Sequence, residues 1–393
     1  KKLACGTYLN ISKKCSLRIH KYWDMLSHGA TGDNLSENAF CERLLSELKR
    51  SVDLHKESDV PVGVFLSGGI DSSVNAALFS ENGRLPVKAF TIAYQGNLNS
   101  YHNEDEQAAN MAKRIHAEHY VRKISPEDIL DNIPAFIKLL GEPLADPVSG
   151  SQYYLSKIAR DHGIIVAQIG EGADELFHGY PLWTKMYVVE KLFGIYMPRF
   201  IKKMILKLYG AIKGKDDFRY ELLRRYGYNQ VAFWGTNDIF TEKNKKDVLS
   251  TRMKDKFRNY TTWESIKPLF ESYKSNSKNR SMSNWMTYLD LNMRMPDLLL
   301  TKVDKMSMGV SLEARVPFLD HKFVELVINM PKKLKKLNCK HNKYILKKAI
   351  KGLIPDEIIH RKKAGFTLPL QDWYSGNFRE LIHREISEFC RQT

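Results

Sequence analysis

The chain has 393 residues, 43% of them hydrophobic, and a formal charge of +16 at pH 7. That is enough apolar material for one large domain or two smaller ones. Five cysteines, Cys5, Cys15, Cys41, Cys339 and Cys390, contain no C-x-x-C pair, which argues against a zinc ribbon and a disulfide framework and predicts a cytoplasmic protein. No apolar run is long enough for a membrane-crossing helix, and no secretory signal opens the sequence. The first residue is Lys1 rather than Met, so a longer natural protein is expected. The lysines are spread widely and are not interleaved with aromatics, so a solvated basic surface is expected rather than a nucleic-acid site.

In chain order, residues 1–35 show weak periodicity and end in a polar, turn-prone stretch, Ser27 to Asn34, and read as a linker or an edge strand. Ser36 is placed to cap a helix to about residue 55, with Phe40, Leu44, Leu45, Leu48 and Val52 on one face. Apolar runs at 60–66, 87–94, 119–124 and 164–169 then alternate with helical patterns at 72–83, 104–115, 126–140 and 150–162. A β-α-β-α rhythm predicts a parallel sheet with helices on both faces, an α/β core over about 58–180, with ligands at the carboxyl ends of the strands. From 181 to 393 helical patterns dominate. Within that half, 198–213 reads as an amphipathic helix with Phe200, Ile201, Met204, Ile205, Leu208 and Ile212 on one side and Arg199, Lys202, Lys203 and Lys207 among its polar positions. Its basic character allows peripheral contact with anionic lipid, and packing into the second half is the plainer alternative.

Two segments carry the chemistry. Val64-Phe65-Leu66-Ser67-Gly68-Gly69-Ile70-Asp71-Ser72-Ser73 reads as a buried strand, a tight loop and a helix start. A helix N-terminus presents unpaired N–H groups to phosphate, and the two glycines allow close approach. Ser67, Ser72 and Ser73 can add hydroxyl donors. The Walker lysine is missing, so the loop need not serve γ-phosphoryl transfer. Asp71 beside phosphate makes electrostatic sense with a cation between them. Gly170-Glu171-Gly172-Ala173-Asp174-Glu175-Leu176-Phe177 follows the 164–169 strand, with three carboxylates and two glycines in six residues. Asp71 and Asp174 are expected at neighbouring strand ends, where two carboxylates and pyrophosphate oxygens suit one Mg²⁺. The helix dipole alone accounts for Asp174 and Glu175, but not for Glu171 between two glycines.

Ser-Gly-Gly-x-Asp-Ser resembles the pyrophosphate loop of the PP-loop ATP pyrophosphatases. Together with Gly-Glu-Gly-Ala-Asp-Glu-Leu-Phe and Gly179-Tyr180, the chain resembles the synthetase domain of glutamine-hydrolysing asparagine synthetases. Later matches keep the family's order: Leu300 to Met308, Ser311 to Asp320, Lys343-Tyr344-Ile345-Leu346-Lys347 and Lys362-Lys363-Ala364-Gly365-Phe366. The resemblance runs from Tyr22-Trp23-Asp24 to Trp373. It implies a PP-loop, adenine nucleotide alpha hydrolase-like core with a mostly helical C-terminal half. It also implies that 1–35 is a linker after a glutaminase domain and 36–393 the synthetase domain. The implied cofactors are ATP and Mg²⁺. The implied reaction is amidation of a carboxylate through an acyl-adenylate, releasing pyrophosphate and then AMP, with ammonia from the glutaminase domain. By the same resemblance Leu66, Ser67, Gly68, Gly69, Asp71, Ser72, Ile92, Ile169 and Gly170 bind ATP or pyrophosphate, and Asp71 and Asp174 hold the metal. Glu171 is then the base that takes a proton as ammonia attacks, and Lys343 stabilises negative charge.

Glu171 favours ammonia as the nucleophile, because the related β-lactam synthetases carry tyrosine there. Ile169 stands where asparagine synthetases commonly have serine, and His178 where glycine is usual, which puts aspartate as the substrate in doubt and leaves sugar or uronic acids of surface-polysaccharide synthesis open. Cys5 is internal and is not expected to be a glutaminase nucleophile. Arg315 and Glu313 are expected to form a structural ion pair. A PP-loop tRNA-modifying enzyme and a non-catalytic scaffold are the competing readings. The first predicts zinc-type cysteines or an RNA-binding appendage, and the second is disfavoured by the intact Asp71, Glu171, Asp174 and Lys343.

Overall fold

The computed structural model describes residues 2–27, 35–81, 86–96, 104–193, 198–236, 238–277, 280–335, 342–361, 367–374 and 377–392. The chain forms two compact units, each made of separate stretches: one of residues 1–40, 174–297 and 324–346, the other of 41–173, 298–323 and 347–393. The 1–35 stretch, read as a linker or an edge strand, contains an antiparallel hairpin, β1 (Thr7–Ile11) with β2 (Leu17–Lys21), paired Leu9 to Ile19.

The second unit holds the sheet. Its strands are β3 (Val62–Phe65), β4 (Lys88–Tyr94), β5 (Glu118–Ile124), β6 (Val166–Gln168) and β7 (Glu313–Arg315), all parallel, in the order β5-β4-β3-β6-β7. β3, β4 and β6 are largely apolar and buried because both faces are covered, whereas β5 at one edge is polar and mostly exposed or half-buried. β7 comes from the stretch whose patterns are helical. It is three residues long, too short to carry a periodic signal, and pairing with β6 defines it. The chain runs β3 to β4 to β5 on one side of β3, and β6 lies on the other. That reversal makes the carboxyl ends of β3 and β6 the switch point at which open α/β sheets bind ligands.

The helices start and stop for local reasons. Pro126–Leu140 has Pro126 in its first turn and a reciprocal capping box between Ser125 and Asp128, and it ends at Gly141 with φ 66°. Ile70–Ser80 differs: Gly69 precedes it, and no side chain caps it. Beneath the sheet, Phe65, Phe90, Ile92, Tyr94, Ile124, Phe136 and Leu155 form one apolar cluster that also includes Trp373 and Phe378 from the C-terminal stretch.

The first unit is helical and aromatic inside. Trp183 and Trp285 are fully buried; Trp183 meets Phe233 edge-on at 5.5 Å and Trp285 meets Phe270 at 5.0 Å. Buried Arg225 is compensated by Glu221 and Asp238 and lies 3.8 Å from the Trp234 ring centroid.

Candidate active site

At the end of β3 the loop is held by its own serines. Ser67 N–H donates to Ser72 Oγ at 3.1 Å, the two hydroxyls lie 3.0 Å apart, and Ser72 Oγ donates to the Gly69 carbonyl at 3.2 Å. Gly68 has φ 71°, and a Cβ there would stand 2.8 Å from Gln107 Cβ and 2.9 Å from the Glu104 carbonyl. Only glycine lets the loop lie this close to the start of helix Asp105–Arg114. The turn exposes the N-terminus of Ile70–Ser80, with Asp71 partly exposed in its first turn. Such an end favours an anion.

The loop after β6 meets it. A Cβ on Gly170 would lie 2.9 Å from both the Asp71 carbonyl carbon and Ser72 N. Glu171 follows, partly exposed, and then Gly172, with φ 96°, packs against Leu319. The structure therefore brings the loop of Ser67, Gly68, Gly69, Asp71 and Ser72 against the loop of Gly170 and Glu171 in the second unit. Leu66, Ile92 and Ile169 are placed differently. Their relative exposures are 1%, 7% and 4%, and Ile92 and Ile169 belong to the apolar cluster. Leu66 N–H donates to the Phe90 carbonyl at 2.9 Å, and the Leu66 carbonyl accepts from Thr91 Oγ1 at 2.6 Å. Leu66 and Ile169 immediately precede the two loops, and Ile92 lies on β4, which pairs with β3.

Asp174 and Lys343 lie in the first unit, where Lys343 Nζ and Asp174 Oδ1 are 2.6 Å apart. Lys343 is 6% exposed and has φ 57°, a backbone conformation unusual for a side chain-bearing residue and frequent at functional sites. Gly179 makes the pair possible: its absent Cβ would lie 1.9 Å from Asp174 Oδ1 and 2.6 Å from Lys343 Cε. The Gly179 carbonyl accepts from Asn342 Nδ2 at 3.3 Å.

Three arrangements were not foreseen from the sequence. Glu175, 1% exposed, accepts from Arg294 Nη1 at 2.9 Å and Tyr180 OH at 2.6 Å. Burial, together with Glu175, pushes the Tyr180 phenol up, so it remains a donor. Glu104, beside Gly68, pairs with Arg361 at 2.9 Å. Burial pushes the Glu104 carboxyl up to about 7, against the pull of Arg361. Lys302 pairs with Asp146 at 2.9 Å. Glu175 and Asp174 are adjacent in sequence, yet only the fold separates their partners.

The remaining expectations are placed as follows. Arg315 Nε donates to Glu313 Oε1 at 2.6 Å, the anticipated ion pair, and Arg315 Nη1 donates to the His55 and Glu57 carbonyls. Cys5 is half-buried, donates weakly to the Leu291 carbonyl at 3.8 Å, and has its thiol pushed up by burial, then by Asp297. It is a poor nucleophile. His178 is buried beside Trp183, its imidazole pushed down to about 3 by burial and then by Lys335. The 362–366 motif and Cys339 lie outside the described residues.

The asparagine synthase family matches residues 43–391. The chain belongs to the asparagine synthase family. Glutamine-hydrolysing asparagine synthetase 1 of Bacillus subtilis (strain 168) is 32% identical over 354 residues, which cover 90% of this chain and 53% of that protein. Asparagine synthetase 3 of the same organism is 30% identical over 365 residues, covering 90% and 52%. The amidase chyE of Penicillium rubens is 25% identical over 403 residues, covering 93% and 57%. The chain thus spans about half the length of these curated relatives. Among the described residues, no helix is long and apolar enough to cross a membrane.

Proposed function

We propose that the chain is the ATP-dependent synthetase part of a glutamine-dependent, amide-forming enzyme. The observation that carries the proposal is the packing of Gly170 on the Asp71–Ser72 backbone at the β3/β6 switch point, which brings a carboxylate-bearing loop onto an uncapped helix N-terminus. A substrate carboxylate oxygen attacks the α-phosphorus of ATP, and the bond from that phosphorus to the β-bridging oxygen breaks. Pyrophosphate leaves and an acyl-adenylate remains. Ammonia, supplied by a glutaminase domain in the longer protein, then adds to the acyl carbon. The adduct gives a proton to Glu171 and collapses, expelling AMP with the bond electrons.

In this scheme Ser67, Gly68, Gly69 and Ser72 bind pyrophosphate, and Gly170 lets the nucleotide lie against backbone. Leu66, Ile92 and Ile169 would contact the nucleotide. Lys343, held by Asp174, answers negative charge on the tetrahedral oxygen and on pyrophosphate. Of the two carboxylates that the motifs give to Mg²⁺, Asp71 stands in the first turn of Ile70–Ser80 in the second unit and would hold the cation there. A carboxylate with phosphate oxygens suits a hard cation that keeps few protein ligands, and the metal would neutralise pyrophosphate charge.

The acid is aspartate or a sugar or uronic acid, taken up as a small molecule. The test is ATP–pyrophosphate exchange with each acid in the presence of Mg²⁺, followed by amide formation from ammonium chloride at high pH. Acid-dependent exchange with AMP as product supports the proposal. ADP as product, or RNA-dependent exchange in place of acid-dependent exchange, would overturn it.

A further inference from the structure

Helix Arg199–Lys213 is amphipathic in an unusual sense: its apolar stripe faces outwards. Phe200, Met204, Leu208 and Ile212 are 71%, 61%, 62% and 67% exposed. A spacing of four residues advances about 40° around the helix, so the four cover an arc of about 120° along roughly 20 Å of axis. The opposite side does the packing. Leu206 is buried, Tyr209 OH donates to Asp217 Oδ2 at 2.7 Å, and Gly210 leaves room for Tyr220, whose Cε2 would be 2.8 Å from a Cβ there. Asp217 in turn caps helix Phe218–Gly227. The stripe is therefore not the face that holds the helix in its unit.

The helix's own charges have one sign. Arg199–Lys213 contains five basic residues and no acidic one. Lys203 and Lys207, both exposed, fall on the wheel just beside Phe200. Lys203 lies over the Tyr228 ring at 5.7 Å, and Tyr228 is itself 54% exposed. A rigid apolar stripe bordered by lysines and an amphipathic aromatic ring matches the apolar–headgroup boundary of an anionic lipid surface. An uncharged partner would leave the lysines unanswered.

We infer that this face docks the chain on anionic phospholipid, with Phe200, Met204, Leu208 and Ile212 entering the acyl boundary and Lys203 and Lys207 meeting phosphate. Attraction and insertion act together, so binding needs both and weakens with salt.

The test uses the full chain with vesicles of phosphatidylcholine alone and of equal parts phosphatidylcholine and phosphatidylglycerol. Co-sedimentation is expected to be at least tenfold stronger with the anionic vesicles and to fall as salt rises. The triple substitution Phe200→Gln, Met204→Gln, Leu208→Gln and the double substitution Lys203→Gln, Lys207→Gln should each lose about tenfold. Circular dichroism of both variants should match the wild type, because the replaced side chains are exposed. Two results would overturn the inference: equal sedimentation with both vesicle types or with neither, and unchanged anionic binding in both variants. A self-association in sedimentation velocity that the triple substitution abolishes would instead assign the stripe to a second copy. Neither outcome bears on pyrophosphate exchange.

Discussion

Gly170→Ala tests the contact on which the proposed nucleotide site rests. The new Cβ would lie 2.9 Å from the Asp71 carbonyl carbon and from Ser72 N, and 3.1 Å from Asp71 Cβ. Two of these neighbours are backbone, which no rotamer change relieves. Reaching ordinary contact at 3.4 Å requires the two loops to part by about half an ångström. Overpacking of this kind costs about 1–3 kcal/mol. If the strain is relieved by moving the phosphate-facing helix N-terminus, ATP binding should weaken by about 5- to 150-fold. Gly69→Ala is the control. Gly69 has φ −82° and ψ 164°, which any residue adopts, and its Cβ would meet only Ser67 Oγ at 3.4 Å. That variant should melt at the wild-type temperature, so any weakening of ATP reports crowding of the ligand rather than of the protein. Isothermal titration with Mg-ATP, beside thermal melts, reads both. Wild-type ATP affinity in Gly170→Ala would refute the role given to this loop contact.

Glu171→Gln should leave acid-dependent pyrophosphate exchange near normal while slowing amide formation from ammonia by about 10²- to 10⁴-fold, the usual worth of a general base; equal loss of both steps would assign Glu171 to nucleotide binding instead. Arg294→Met removes the guanidinium that meets buried Glu175, 1% exposed, and should cost about 3–5 kcal/mol in urea unfolding; a loss below about 1 kcal/mol would show that the pair is not a structural support. Glu104 has its carboxyl raised by burial from 4.5 to about 7, so its contribution to stability is full below pH 4.5 and is lost as pH rises towards 7. The stability of Glu104→Gln relative to wild type should therefore increase between pH 5 and pH 8, by at most about 3 kcal/mol, measured as paired urea curves; a pH-independent difference would contradict the buried placement of this group.

The parts of the fold that were legible are those specified by neighbours in sequence. The Ser125–Asp128 capping box and Pro126 define helix 126–140 within a few residues, and the apolar runs at β3 and β4 could face only a covered sheet. The glycines were legible as close approaches for the same reason: Gly68, Gly170 and Gly172 are sites where backbone meets backbone or another side chain. What was not legible is long-range. Arg294 lies 119 residues from Glu175, and Arg361 lies 257 residues from Glu104. Each is an ordinary arginine until the chain closes on it. β7 is of the same kind, three residues whose strand character comes from β6. Lys343 was picked out only by its place in a family motif. Its positive φ and the hole left for it by Gly179 are consequences of the fold that no local pattern announces.

Ile169 shows how the fold changes the meaning of a sequence departure. Read along the chain, isoleucine in place of serine removes a hydroxyl from a position next to nucleotide and substrate, and so speaks against aspartate. In the structure the Ile169 side chain is 4% exposed and belongs to the cluster with Phe65, Ile92 and Val303, while its N–H donates to the Arg315 carbonyl at 2.9 Å. The side chain is thus part of the packing inside the sheet, and a role for it in choosing the acid would require it to reach the substrate from that buried position. Ile169→Ser should behave accordingly. Trading a buried isoleucine for a small polar residue leaves a void and places a hydroxyl among apolar groups, a loss of about 2–5 kcal/mol in urea unfolding. The ranking of carboxylic acids in pyrophosphate exchange should not change, although all rates fall with the folded fraction. If instead Ile169→Ser reorders the acids while stability stays within about 1 kcal/mol of wild type, the side chain reaches the substrate and the doubt about aspartate stands.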